Sequence, residues 1–209
     1  MSLLTHCLPL SFYQREDVVQ IARDLIGKAL FTCIDEQTTG GIILETEAYR
    51  GPEDKASHAY NNRLTKRTQV MFENGGIAYV YTCYGIHQLF NVVTNTQNIP
   101  HAVLIRAFFP THGLNTIAKR RKKCIDEPNL ATGPGSVTQA LGVTKAHNGL
   151  SLDRYPLWIE ETRFSIPKNL IKASSRIGIA YAKEHALLPW RFFIPHLPHQ
   201  LINLFPKEN

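Results

Sequence analysis

Five short segments rich in β-branched and aromatic residues follow one another through the first half of the chain, and this run most constrains the fold. The segments span residues 30–34, 42–49, 77–83, 89–93 and 102–109. Thr38-Thr39-Gly40-Gly41 separates the first pair and Tyr84-Gly85 the second, so each pair is predicted to form a β-hairpin. Pro110 is expected to end the last strand.

Helical spacing of apolar residues appears only outside these strands, before the first and after the last. Residues 18–26 repeat at helical spacing and stop at Gly27, a residue suited to the position after a helix. Further helices are predicted at 114–123 and 137–141, and further strands at 157–159 and 191–194. Residues 50–70 have no period and form a long loop, a feature that is usually functional inside a compact domain. We therefore predict one α+β domain over residues 1–209.

Composition excludes several classes of protein. Hydrophobic residues make up 44% of the chain and charged residues 19%, which predicts a folded core rather than disorder. No apolar run is long enough to cross a bilayer, and the first twelve residues lack the basic start of an export signal. We expect a protein without a membrane partner that is not secreted and is cytoplasmic (in bacteria, at the nucleoid) or nuclear. The four cysteines form no C-x-x-C pair, and His196 and His199 have no further ligand nearby, so no metal site is predicted.

The net charge of +6 favours a polyanionic partner such as nucleic acid. Candidates for phosphate contacts, which position a duplex without reading its sequence, are His58, Arg63, Lys66 and Arg67 in the loop and the basic run at 119–123. A solvated charged helix face explains the run at 119–123 about as well.

Glu45, Glu47 and Tyr49 lie two residues apart along a predicted strand and so share one face. Two carboxylates and an aromatic ring at the mouth of a long loop suit an acid/base site, because apolar surroundings raise the proton affinity of a carboxylate. The alternative is structural: one glutamate pairs with a loop arginine and the other is solvated.

Tyr79 and Tyr81 share a face of the third strand, and Tyr84 follows at the predicted hairpin tip. Aromatic rings on a basic protein can stack on bases or wedge between them. Tyrosine is also a favoured strand residue that packs half-buried, so spacing leaves both interpretations open.

Several short motifs follow one another in a fixed order over most of the chain. They are Glu45-Thr46-Glu47-Ala48-Tyr49-x-Gly51-Pro52-Glu53-Asp54-x-Ala56-x-His58, Arg63-x-Thr65-x-Arg67, Met71-Phe72, Tyr79-Val80-Tyr81-x-x-Tyr84-Gly85 with Asn91, Val103-Leu104-Ile105-Arg106-Ala107, Gly133-Pro134, Gln139-Ala140-Leu141 and Arg176-Ile177-Gly178. This ordered set resembles the alkyladenine (3-methyladenine) DNA glycosylase family.

The resemblance implies a curved, mostly antiparallel sheet with helices, and a protruding β-hairpin that inserts into DNA. It implies a monomeric base-excision repair enzyme that flips an alkylated or deaminated purine out of double-stranded DNA and hydrolyses its N-glycosidic bond. Candidate substrates are 3-methyladenine, 7-methylguanine, hypoxanthine and ethenoadenine. No metal or organic cofactor is implied, and no lyase activity, because the family uses no amine nucleophile.

Residue roles follow from the same resemblance. Glu47 is the expected general base, and Arg106 and the Ile177 carbonyl hold the attacking water. The remaining residues bind substrate or DNA: Tyr49, His58 and Tyr81 line the pocket, Asn91 excludes normal guanine, Tyr84 is the wedge, and Arg63, Thr65, Arg67 and Lys145 contact DNA.

Two other functions use the same residues. A nucleic-acid-binding module without catalysis would need only the basic surface and the tyrosines, and it would gain nothing from Glu47. A small-molecule hydrolase would use the Glu45/Glu47 pair without DNA.

Overall fold

The structure, a computed structural model, describes residues 6–163 and 165–195; His196 and His199 lie outside this part. Its strands are β1 (Ala29–Ile34), β2 (Gln37–Arg50), β3 (Ala78–Cys83), β4 (His87–Thr94), β5 (His101–His112), β6 (Asp153–Arg154), β7 (Leu157–Glu160), β8 (Lys172–Ser174) and β9 (Arg191–Phe193). Its α-helices are α1 (Leu10–Tyr13), α2 (Val18–Asp24), α3 (Leu114–Arg121) and α4 (Pro134–Leu141). Short 3₁₀ helices span Tyr60–Asn62, Gln69–Phe72, Lys145–His147, Lys168–Leu170 and Ala180–Leu187.

All described strands pair antiparallel in one sheet with the order β3-β4-β5-β2-β1-β7-β6, and β9 joins β2 to β8. The long strand β2 is the centre, because it pairs with β5 on one side and with β1 and then β9 on the other. Register shifts between β2 and β5 near Glu45 bend the two strands, as β-bulges do. The predicted α+β class and curved antiparallel sheet are confirmed.

The first hairpin turns earlier than predicted. Asp35 and Glu36 form the turn with φ of 53° and 60°, the left-handed pair typical of a two-residue hairpin loop. Thr38-Thr39-Gly40-Gly41 instead continue β2, and the buried Thr39 hydroxyl lies 2.9 Å from that of Thr32 across the pair. The turn prediction was wrong because threonine and glycine there serve close strand packing rather than chain reversal.

Strand β5 also runs past Pro110, where it was predicted to end. β4 pairs only with the first four residues of β5, so Pro110 lies where the strand has β2 as its ladder partner. A missing N–H is tolerated at such an edge.

The three α-helices that were predicted differ from prediction only at their ends, and α1 was not predicted. Asp17 caps α2, since its carboxylate accepts hydrogen bonds from the N–H groups of Val19 (2.9 Å) and Gln20 (3.2 Å). α2 ends at Asp24, two residues early, and α3 ends at Arg121. α4 begins three residues early at Pro134, whose fixed φ suits the first helical turn.

Alternation along β2 and β5 separates the core from the other face of the sheet. Ile43, Ala48 and Ile105 point toward α2 and α4 and are fully buried with Ile21 and Leu141. This apolar layer fixes which face the alternate residues occupy. Within residues 6–163 and 165–195, no helix is long and apolar enough to cross a membrane.

Candidate active site

A cavity of about 390 Å³ lies on the face of β2 and β5 opposite the helices. Its walls come from several separate parts of the chain: the end of β2, the loop that follows it, the β3–β4 hairpin, β5, Pro134 at the start of α4 and the segment after β8. The predicted site residues that line it are Tyr49, His58, Arg67, Tyr81, Tyr84, Asn91, Arg106 and Ile177. The structure thus brings together residues up to 128 positions apart in sequence.

Glu47 lies directly behind this wall and is fully buried, with 0% of its surface exposed. Its Oε1 accepts a hydrogen bond from the Ile177 N–H at 2.8 Å, and its Oε2 accepts one from the Tyr49 hydroxyl at 2.8 Å. Arg106 Nε lies 3.4 Å from Oε1. Since all three partners line the cavity, the carboxylate is one layer of side chains from it.

The pKa of Glu47 is raised, and burial is the main cause, because a charged carboxylate loses hydration there. Arg106, the Ile177 N–H and the Tyr49 hydroxyl each lower the pKa, and the negative charge of Glu45 raises it further. Burial outweighs the donors. Glu47 is therefore a stronger base than a solvated glutamate.

Glu45 is a second, partly buried carboxylate beside the first. Its Oε1 accepts hydrogen bonds from Arg106 Nε at 2.9 Å and from Arg191 Nη1 at 3.0 Å. Both arginines come from strands, β5 and β9, and neither glutamate is solvated. The structural alternative of one loop-paired and one exposed glutamate was therefore wrong.

Aromatic rings form the wall facing the loop. The Tyr79 and Tyr81 rings stack with centroids 5.3 Å apart, and His58 meets Tyr81 edge-on at 4.6 Å. His58 Nδ1 and the Tyr79 hydroxyl are hydrogen-bonded at 2.8 Å. Burial, together with Arg67 and Arg63, lowers the pKa of His58 to about 4, so its ring is neutral at pH 7.

Tyr84 stands at the tip of the β3–β4 hairpin and is 88% exposed. Its φ is 50° and that of Gly85 is 71°, a left-handed pair that reverses the chain between Cys83 and His87. Ile86 beside it is also exposed. The predicted position of Tyr84 at a hairpin tip is confirmed, and it reaches the cavity mouth.

Asn91 lies in the cavity wall on β4, opposite Tyr79 on β3. Its side chain is buried, and Nδ2 donates a hydrogen bond to the Tyr79 carbonyl at 3.1 Å. That bond holds the amide in one orientation.

A buried ion pair, which the sequence reasoning did not assign, supports the wall behind Tyr49. Arg176 Nη2 lies 2.9 Å from Asp54 Oδ1, and Nη1 also contacts Asp54 and the Ala48 carbonyl. The guanidinium packs over the Tyr49 ring at 4.8 Å and the Trp190 ring at 5.1 Å. It fixes the backbone next to Ile177. The presence of Asp54 and Arg176 within the family-like motifs was the available signal.

Tyr181 is a second residue that sequence reasoning missed. It is exposed at the cavity rim, and its hydroxyl donates a hydrogen bond to the Ala56 carbonyl at 3.2 Å. Its segment has no period that would have indicated this position.

The four residues predicted to contact DNA all lie on the surface. Arg63, Thr65, Arg67 and Lys145 are exposed; Arg67 lies 5.9 Å from the Tyr81 ring centroid, and Lys145 begins a 3₁₀ helix beside β3. The Thr65 hydroxyl also pairs with that of Thr68 at 3.0 Å, so it shapes the loop.

Two arginines of the basic run at 119–123 have structural partners instead. Arg120 donates to Thr39 at 3.1 Å and to the Ala140 carbonyl at 3.2 Å, and Arg121 donates to the Leu130 carbonyl at 2.9 Å. These bonds tie α3 to α4 and to β2. Both guanidinium groups are therefore engaged in contacts within the fold.

The described residues contain no group of three or more His, Cys, Asp or Glu side chains that could hold a metal ion. The four cysteines, all in the described part of the chain, are free thiols.

Comparisons with known proteins agree with this geometry. A family model described as methylpurine-DNA glycosylase matches residues 11–198. A protein of Chlamydia felis named "Putative 3-methyladenine DNA glycosylase" is 50% identical over 188 residues, which cover 90% of this chain and 95% of that protein. A protein with the same name from Bacillus cereus (strain G9842) is 42% identical over 88% of this chain and 94% of its own length. Another from Natranaerobius thermophilus is 41% identical over 94% of this chain and 99% of its own length.

Proposed function

The chain belongs to the methylpurine-DNA glycosylase family, and from that membership we propose that it excises alkylated or deaminated purines from double-stranded DNA by base flipping and hydrolysis. One observation carries the mechanism. A fully buried carboxylate, Glu47, lies behind an aromatic cavity, and the three residues that contact it all line that cavity: Tyr49 and Ile177 through hydrogen bonds and Arg106 as an ion pair.

In this mechanism a water oxygen forms a bond to the sugar C1′ while the bond from C1′ to the purine nitrogen breaks. The electron pair of the broken bond leaves with the base, and Glu47 accepts a proton from the water. Burial, which raises the pKa of Glu47, favours this transfer, and Arg106 stabilises the carboxylate beforehand. The products are a free base and an abasic site.

Arg106 and Ile177 are the proposed holders of the water. Their Nε and backbone N–H both contact Glu47 Oε1, so both lie beside the atom that takes the proton. The Ile177 amide, rather than its carbonyl, is the group in contact with Glu47. Its carbonyl belongs to the same peptide segment at the cavity wall and is the proposed acceptor for the second water hydrogen.

Cationic alkylated purines suit the aromatic wall. Tyr49, Tyr79 and Tyr81 contribute aromatic rings to the lining, the faces of such rings attract a cation, and a neutral His58 adds no repelling charge. A cavity of about 390 Å³ is in the range of small-molecule sites. Bases that already carry a positive charge are also better leaving groups.

Flipping and discrimination are assigned to two residues. Tyr84, exposed at the hairpin tip beside the cavity mouth, would fill the gap left in the duplex. Asn91, held by the Tyr79 carbonyl, would clash with the exocyclic amino group of normal guanine. Arg63, Thr65, Arg67 and Lys145 would contact the DNA backbone.

We expect a monofunctional glycosylase, because the described residues that line the cavity include no lysine to form a Schiff base. We also expect a monomer that acts in the cytoplasm at the bacterial nucleoid or in the nucleus.

The test is single-turnover base release from duplex oligonucleotides that contain one 7-methylguanine, hypoxanthine or ethenoadenine. Glu47→Gln keeps shape and DNA contacts and should lose excision while it retains lesion binding. Glu73→Gln, at an exposed glutamate, is the matched control and should behave as wild type.

Each alternative has its own result. Near-normal excision by Glu47→Gln would remove Glu47 as the base. Lesion binding without release in the wild type would indicate a binding module, and release from free nucleosides that is insensitive to salt would indicate a small-molecule hydrolase.

A further inference from the structure

Two glutamates and two arginines form one chain of contacts behind the cavity. Arg191 Nη1 lies 3.0 Å from Glu45 Oε1, and the same oxygen lies 2.9 Å from Arg106 Nε. That Nε is then 3.4 Å from Glu47 Oε1. The single Nε–H of Arg106 therefore points to Glu45, and Glu47 receives the weaker, longer contact.

This preference matters because Arg106 and both carboxylates are largely shielded from water. The side chains of Arg106, Glu45 and Glu47 are 10%, 13% and 0% exposed. Attraction between charges is strong at such sites, so a shift of Arg106 from one carboxylate to the other changes the proton affinity of both.

The remaining polar groups around Glu47 are fixed donors. The Tyr49 hydroxyl comes from β2 and the Ile177 N–H from the segment after β8. Arg176 packs over the Tyr49 ring and is neutralised by Asp54. On the opposite side of β2, Thr46 faces α2 and carries no charge. Arg106 is thus the charged partner that Glu45 is placed to control.

We propose that Glu45 is a positioning residue that keeps Glu47 basic by holding Arg106 on itself, and that Arg191 limits this effect by sharing Glu45. The inference rests on the proposed role of Glu47 as the base. Without the Glu45 charge, Arg106 turns to Glu47 and makes it a weaker base. Without Arg191, Glu45 has only Arg106 to bind and draws it further from Glu47.

The experiment measures single-turnover release of 7-methylguanine against pH for wild type, Glu45→Gln, Arg191→Gln and the double variant. A cationic leaving group needs no protonation, so the acid limb reports Glu47 and His58, whose pKa is about 4. Because His58 is unchanged in all four proteins, the differences between their limbs report Glu47. Glu45→Gln should move the limb to lower pH by about one unit, and Arg191→Gln should move it to higher pH. The double variant should return toward the wild-type limb.

A purely structural role predicts something else: lower plateau rates with the acid limb unmoved, or the same direction of shift in both single variants. Either result overturns the inference. A one-unit shift means about a tenfold change in rate at a fixed pH on the limb, which is readily measured.

A readout without DNA separates this inference from the proposed function. In protein labelled with ¹³C-glutamate, the Glu47 carboxyl resonance, assigned by its loss in Glu47→Gln, should titrate at lower pH in Glu45→Gln and at higher pH in Arg191→Gln. An unmoved titration refutes the role of Glu45 even if Glu47→Gln abolishes excision. Opposite shifts beside an active Glu47→Gln refute Glu47 as the base and leave the coupling intact.

Discussion

Asp54→Asn tests how much the buried ion pair behind the cavity stabilises the fold. Both side chains of the Asp54–Arg176 pair are 0% exposed. Removal of one partner from a buried pair costs about 3–5 kcal/mol, because the other charge stays buried and uncompensated. Arg176 keeps its bonds to the carbonyls of Ala48 and His185, so we expect a loss near the lower limit, about 3 kcal/mol.

The assay is urea unfolding followed by tryptophan fluorescence, since Trp190 packs against the Arg176 guanidinium. The matched control is Asp24→Asn, which breaks the partly exposed pair with Arg15 and should cost about 1 kcal/mol or less. If Asp54→Asn costs no more than Asp24→Asn, the reasoning from burial is refuted.

A double variant separates stability from positioning. Asp54→Asn combined with Arg176→Met removes the unpaired charge, so it should be more stable than Asp54→Asn alone. Excision should stay low in both variants, because both lose the ion pair that anchors the backbone next to Ile177. The hydrogen bond from the Ile177 N–H to Glu47 depends on that anchor. Recovery of excision together with stability would show that the pair has no positioning role.

Tyr84→Ala should weaken binding to lesion-containing duplex more than to undamaged duplex in equilibrium titrations, and equal losses would place the wedge elsewhere. Asn91→Ser should raise the rate of guanine release relative to 7-methylguanine, and an unchanged ratio would count against its role in discrimination. Arg67→Ala should reduce the slope of log affinity against log salt by about one, whereas Arg120→Ala should lower stability and leave that slope unchanged. His58 is expected to destabilise the fold as pH falls from about 6.5 to about 4, because over that range the unfolded chain binds a proton on this residue and the folded chain does not. In His58→Gln, the slope of unfolding free energy against pH should fall by the equivalent of about one bound proton over that range. An unchanged slope would contradict a neutral His58.

Local features were predictable from sequence. The period of two placed Glu45, Glu47 and Tyr49 on one face, and the contacts of Arg106 and Tyr49 with Glu47 confirm this. The position of Tyr84 at a hairpin tip was predictable from Gly85 beside it. Such properties depend on a few neighbouring residues, whose allowed dihedral angles and alternation are nearly independent of the rest of the chain.

Errors arose where a local signal competed with packing. Threonines and glycines at 38–41 suggested a turn, but β1 lies close on one side and β5 on the other. A side chain on Gly41 would meet the Phe109 carbonyl, so glycine is required there inside the strand. Pro110 is tolerated within β5 because it lies at a sheet edge. That edge exists because β4 pairs only with the first four residues of β5.

The sequence by itself determined the succession of the main strands along the chain, the shared face of Glu45, Glu47 and Tyr49 and, through its motifs, the family. Only the tertiary structure decided that Glu47 is fully buried, that Arg106 lies closer to Glu45 than to Glu47, and that Arg176 neutralises Asp54 from 122 positions away. The reason is physical: the proton affinity of a carboxylate depends on lost water and nearby charge, and segments remote in sequence supply both.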